Sequence, residues 1–199
     1  PPHHDAPVDD VARPNAEGSL FLDAAAALKD ADPVAAAAML AAFEAQAHGL
    51  VAMQGPEGLW MQFAPNNRTL RWVHPRFNLW YAEALIDAAD ETGNATLAEA
   101  AARALRTYVL MQQADGTIFY GNTLSGGGAA GPLEVIPDQS SICGSATAFA
   151  TSLWLRLARA HGFDEFVPSA VAGLKWLLRN RYSDAAPPPL AGSTLETRV

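Results

Sequence analysis

The chain has 199 residues, half of them hydrophobic and 17% charged, with a formal net charge of −8 and one cysteine. That length suits one domain, or part of a larger one, and can bury a core without disulfides or metals. The lone cysteine excludes a disulfide framework and a multi-cysteine zinc site, the acidic balance with lysine only at Lys29 and Lys175 excludes a nucleic-acid role, and the lack of an obvious apolar run of roughly 18 residues argues against a membrane span.

Residues 1–18 are rich in Pro, Asp and His, carry His3 and His4, and read as a flexible lead-in. They show no basic start followed by an apolar stretch. A mature exported chain would lack one too, so the reading leans only to a periplasmic or secreted location over a cytoplasmic one. Alanine at about a fifth of the chain points to helices. The 3.6-residue periodicity predicts them near 19–31, 34–54, 77–92, 95–113, 142–161 and 164–181. The third is expected to bury Phe77, Trp80, Tyr81, Ala84, Leu85 and Ala88. The fifth is expected to bury Ala146, Phe149, Ala150, Leu153, Trp154 and Leu157, and the sixth Phe166, Ala170, Val171, Leu174, Leu177 and Leu178. Gly93 and Gly162 stand where glycine caps end helices, and Pro33 and Pro75 lie near helix starts. Alternating β-branched runs are scarce, so a sheet is not expected. Short extended pieces are allowed at 59–63 and 117–120, and residues 183–199 read as an irregular tail.

The helices fall into pairs that repeat. One ends at Met53-Gln54 and runs into Gly55-Pro56-Glu57-Gly58-Leu59-Trp60. Another ends at Met111-Gln112 and runs into Gln113-Ala114-Asp115-Gly116-Thr117-Ile118-Phe119. A third ends at Arg179-Asn180, before Tyr182-Ser183-Asp184. Each unit is helix, tight turn, helix, then a Gln-x-x-x-Gly turn and a long loop. Gln54-Gly55-Pro56-Glu57-Gly58-Leu59-Trp60-Met61-Gln62, and the stretch from Ser145-Ala146-Thr147 to Ala160-His161-Gly162, resemble the hairpins of the (α/α) toroid glycosidases, with the unsaturated glucuronyl and rhamnogalacturonyl hydrolases as the members most alike. The resemblance runs from about Leu50 to Tyr182. It implies an all-α fold of toroid hairpins. At about 50–60 residues per hairpin the chain supplies three, half of a six-hairpin ring. Either the chain is part of a longer one or the ring is completed by association.

In such toroids the cleft is lined by the loops entering the inner helices, here 59–76 and 119–145. The family's acid catalyst is an Asp shortly after a Trp. The nearest counterpart is Arg71-Trp72-Val73-His74-Pro75-Arg76, which has His74 in its place. His74 titrates near neutrality, and Asp138 falls just before an inner helix, so these two form the candidate acid/base pair. Trp60 and Trp72 are candidate platforms for the apolar faces of sugar rings, Arg76 is a candidate clamp for a uronate carboxylate, and Tyr120 and Gln139 are further contacts. Asp115, Glu134 and Cys143 are weaker candidates, and His161 reads as a helix-end side chain. The glycine-rich Ser125-Gly126-Gly127-Gly128 follows no predicted strand and lacks a Lys-Ser or Lys-Thr, so it reads as a flexible loop over the cleft.

The expectation is therefore a glycoside hydrolase or lyase acting on a uronic-acid-containing saccharide. It needs no cofactor or metal, takes an oligosaccharide or polysaccharide and neither nucleic acid nor membrane, and pairs as a homodimer or with the remainder of a larger chain. The alternatives are a non-catalytic helical-repeat module that binds glycan or protein, and a terpenoid-cyclase-like ring, for which Asp9-Asp10 is the only adjacent Asp pair.

Overall fold

The computed structural model describes residues 18–181 and 192–193. The expected lead-in with His3, His4, Asp9 and Asp10, and the tail apart from Gly192 and Ser193, lie outside the described residues. Six helices form three antiparallel hairpins: α1 (Gly18–Leu28) with α2 (Pro33–Met53), α3 (Phe77–Thr92) with α4 (Ala95–Met111), and α5 (Gly144–His161) with α6 (Val167–Arg179). The boundaries follow local chemistry. Asp32 accepts the Ala35 N–H at 3.0 Å and Pro33 opens α2. Gly93 and Gly162 close α3 and α5 at φ 68° and 75°, a conformation that costs glycine little. Neighbouring contacts of α3 with α1 and α5 put these three helices in one layer. Nearly every side of α3 is buried, as expected for an inner helix.

The repeated Gln-x-x-x-Gly turn has a shared structural job. Gln54 Nε2 donates to Gly58 O at 2.8 Å and to Ala100 O on α4 at 2.7 Å. Gln112 Nε2 donates to Gly116 O at 3.1 Å and to Ser169 O on α6 at 2.9 Å. Each glutamine closes its own turn and ties it to the second helix of the next hairpin. The two glycines lie where a Cβ would fall 2.5 Å from Arg103 O and 2.2 Å from Ala172 O, so only glycine allows the approach.

Three expectations are corrected. A sheet does form: β1 (Trp72–Val73), β2 (Phe119–Ser125) and β3 (Glu134–Ile142) make an antiparallel sheet in the order β1-β2-β3. Residues 59–63 are turns, and the extended piece expected at 117–120 is the start of β2. Second, the expected α6 face is turned, and the expected α3 face, with Tyr81, Ala84, Leu85 and Ala88 buried, loses Trp80. Trp80 on α3 is 36% exposed, and on α6 the buried residues are Ser169, Ala170, Gly173 and Trp176, while Val171, Leu174 and Leu178 are exposed. Third, α2 is by length and composition apolar enough to cross a membrane, with mean hydropathy 1.4 over its best window and 22% of that window buried. The sequence-based exclusion overlooked it because Glu44, Gln46 and His48 interrupt the apolar run. In this fold Phe43, Ala47 and Leu50 of α2 pack into the core.

Candidate functional site

The sheet has two unlike faces. Val73, Asn122 and Leu124 alternate onto the core side and are buried. Trp72 pairs with Thr123 and Val73 with Asn122, so His74 comes level with Gly121, and Gly121 pairs with Asp138. His74, Gly121 and Asp138 thus form one row on the outer face, the outer two lying two strand spacings, about 10 Å, apart across the sheet. The middle position has no side chain. A Cβ at Gly121 would lie 2.9 Å from Trp72 Nε1, 3.1 Å from Asp138 Cβ and 3.4 Å from Asp138 Oδ2, so the indole N–H and the carboxylate close over the glycine.

An irregularity in register between Phe119 and Gly121 takes Tyr120 out of the ladder. Its ring meets His74 edge-on at 4.8 Å. His74 also meets Phe77 at 4.9 Å and Trp72 at 6.1 Å, both edge-on, and Phe77 meets Trp80 at 4.7 Å. The Arg76 guanidinium lies over the Tyr120 ring, 5.9 Å from its centroid. The structure therefore brings Trp72, His74, Arg76 and Tyr120 together, with Asp138 beside Trp72. The side chain of Gln139 lies outside the described residues.

Buried amides hold the loop that carries this cluster. Asn66 Oδ1 accepts the His74 N–H at 3.0 Å, and Asn66 Nδ2 donates to Trp60 O at 3.0 Å. Asn78 Oδ1 accepts the Trp60 N–H at 2.8 Å. His74 is 5% exposed, and its Nδ1 accepts the Arg76 N–H at 3.3 Å. A neutral ring accepting at Nδ1 carries its proton on Nε2. The Tyr108 hydroxyl donates to Pro75 O between the two site residues, and burial first, then Cys143, pushes its pKa well above the ordinary tyrosine value.

Trp60 is corrected as a platform. It is fully buried, its Nε1 donates to Leu50 O at 2.8 Å, and its ring packs edge-on against Tyr81, so no face is left for a sugar. Its role is to anchor the loop that presents His74. Asp115 Oδ1 accepts the Thr117 N–H at 3.0 Å within a turn, Glu134 is exposed at the start of β3, and Cys143 is buried at the N-terminus of α5. His161 lies 2.7 Å from Asp90 at the end of α5. Among the described residues no group of three or more His, Cys, Asp and Glu side chains is arranged to hold a metal ion.

Sequence reading missed Asn66, Asn78, Phe77, Trp80 and Gly121 as parts of the site. Phe77 and Trp80 carried a signal, two aromatics directly after the His74 loop, but it was absorbed into the helix periodicity. The amides carried none, because their partners are set by the folded loop. A separate cavity of about 490 Å3 lies by Met53, Glu57, Met61, Gln62, Arg68 and Arg71. Arg71 borders it, bonded to Glu57 Oε1 at 2.9 Å and to Gly126 O at 2.7 Å in the glycine-rich turn after β2.

No protein-family profile matches the sequence, and no curated protein matches it. Among solved structures, the fold is similar to that of an unsaturated glucuronyl hydrolase variant described with the oligosaccharide dGlcA-Glc-Rha-Glc, at a TM-score of 0.59 and 15% identity. The match covers 86% of this chain and 47% of that one, so the chain spans about half the length of its structural relative. At that identity the likeness carries the fold alone: a chain of helical hairpins of the (α/α) toroid class.

Proposed function

We propose that the chain is a carbohydrate-active enzyme, a glycoside hydrolase or lyase, that takes a uronic-acid-containing saccharide across the outer face of the sheet. The observation that carries this reading is the clustering of His74 with Trp72, Tyr120 and Arg76, with Asp138 beside Trp72 over Gly121. Aromatic rings offer apolar faces to sugar C–H groups, and a guanidinium holds a carboxylate in two parallel hydrogen bonds. Trp72 and Tyr120 are the platforms and Arg76 the clamp. In hydrolysis His74 and Asp138 form the acid/base pair, one giving a proton to the departing oxygen and the other taking one from the attacking water. The likeness in fold to a glucuronyl hydrolase supports the substrate class. The test incubates the protein with saturated and unsaturated uronate oligosaccharides and reads new chain ends by mass spectrometry. Cleavage that is lost in both His74→Ala and Asp138→Ala is expected, and cleavage unchanged in the double variant overturns the assignment.

A second reading is glycan binding without cleavage. It is favoured by the burial of His74, which at 5% exposure leaves little of the ring for a reacting atom. Saccharide binding with no new chain ends selects it.

A further inference from the structure

Among the described residues, the two ends of the row of hairpins carry exposed helix faces. At one end, α6 carries Val167, Val171, Leu174 and Leu178, each 40–57% exposed. Their spacing of i, i+4, i+7, i+11 puts them on one helix face, about 16 Å long. This face is distinct from the one through which Ala170, Gly173 and Trp176 are buried. At the other end, α2 exposes Val34, Ala38, Ala41 and Ala45. The first face is a ridge of branched side chains and the second a flat strip of small ones, so one fits the other. Their charges are also opposite. On the two helices themselves, Lys175 and Arg179 are exposed on α6 and Glu44 on α2.

The caps mark the same end. Gln54 and Gln112 each reach across to the next hairpin, whereas Asn180, the cap of α6, turns its amide back to Trp176 O at 2.8 Å. We propose that the α6 ridge docks on the α2 strip of a second copy of this chain, head to tail, so that two copies close a ring of six hairpins.

The test is light scattering on the full chain at micromolar concentrations. The expected mass is about twice the 21.0 kDa of one chain. Two double variants change only exposed side chains: Val171→Glu with Leu174→Glu on α6, and Ala41→Glu with Ala45→Glu on α2. Each alone is expected to have the mass of one chain with unchanged circular dichroism. Mixed together they are expected to re-form a weaker dimer, since each retains the face the other has lost. A wild-type chain that stays monomeric overturns the proposal. So does an α2 variant that stays dimeric while the α6 variant does not, because that pattern means α6 meets α6. Monomers that sediment with anionic phospholipid vesicles and are released by the α2 substitutions also overturn it, making α2 a membrane-binding face instead.

Discussion

The Tyr108 hydroxyl, deep in α4, hydrogen-bonds the Pro75 carbonyl at 2.5 Å, and Pro75 is the residue between His74 and Arg76. The core of the second hairpin thereby sets the position of the loop that carries the candidate site. Tyr108→Phe keeps the ring and removes the bond, leaving a buried carbonyl without its donor. The expected cost is about 1–3 kcal/mol in urea denaturation, together with weaker saccharide binding. A loss of stability with binding intact would separate the loop from the site.

Gly121→Ala places a methyl 2.9 Å from Trp72 Nε1 and 3.1 Å from Asp138 Cβ. Overpacking of this kind costs about 1–3 kcal/mol. The expected outcome is a lower thermal midpoint and a larger loss of saccharide affinity than Thr123→Ala, one pair further along the same face. Calorimetric titration of both variants makes the comparison.

Arg76→Ala is expected to weaken binding of acidic oligosaccharides at least about tenfold, the scale of one charge-assisted hydrogen bond, and to leave neutral ones nearly unchanged. A glycan panel measured by thermal shift reads both. Equal loss on the two classes removes the clamp and leaves Arg76 as a partner of the Tyr120 ring.

Gln112→Ala removes two hydrogen bonds, to Gly116 O and Ser169 O, that join the second hairpin to the third. The expected destabilisation is about 1–3 kcal/mol in urea. Gln112→Glu is expected to be worse, since it sets a carboxylate against two carbonyl oxygens. Hydrogen exchange on α6 is expected to speed up in both.

Glu83 on α3 has its pKa raised from 4.5, by burial first and by Asp87 second, with Arg156 opposing. The folded state thus holds the Glu83 proton more tightly than the unfolded chain does. The charged form costs stability once pH rises past the unfolded carboxylate range, and the cost is absent below it. Glu83→Gln is expected to raise the urea midpoint at pH 7, by less than about 1 kcal/mol because solvent screens the half-exposed group, and to have no effect at about pH 3. Urea titrations at the two pH values read the difference.

Much of the fold is legible in the sequence, because helix information is local. Asp32 and Pro33 start α2, Gly93 and Gly162 stop α3 and α5, and each backbone bond reaches only four residues back. The glutamine turns are legible too, as a repeat, although the sequence cannot show that their amides reach the next hairpin. The candidate site was half legible. Trp72, His74, Arg76, Tyr120 and Asp138 stand in the two loops expected to line a cleft, and the fold brings them to one face.

What the sequence by itself determined is therefore the six helices, their pairing and the loops that carry the candidate site. The tertiary structure alone decided which side chains those loops present. A two-residue strand at Trp72–Val73 has no signal of its own and exists because β2, some fifty residues later, supplies its partners. Trp60 looked like Trp72 in the sequence, yet one is sealed beneath the loop by Leu50 and Asn78 while the other closes over Gly121. On α6, apolar residues cover more of the helix than one core can bury. Packing against α5 chose Trp176 for the inside and left Val171, Leu174 and Leu178 facing out. Periodicity shows that a helix has an apolar face, and only the neighbouring elements decide which face is covered.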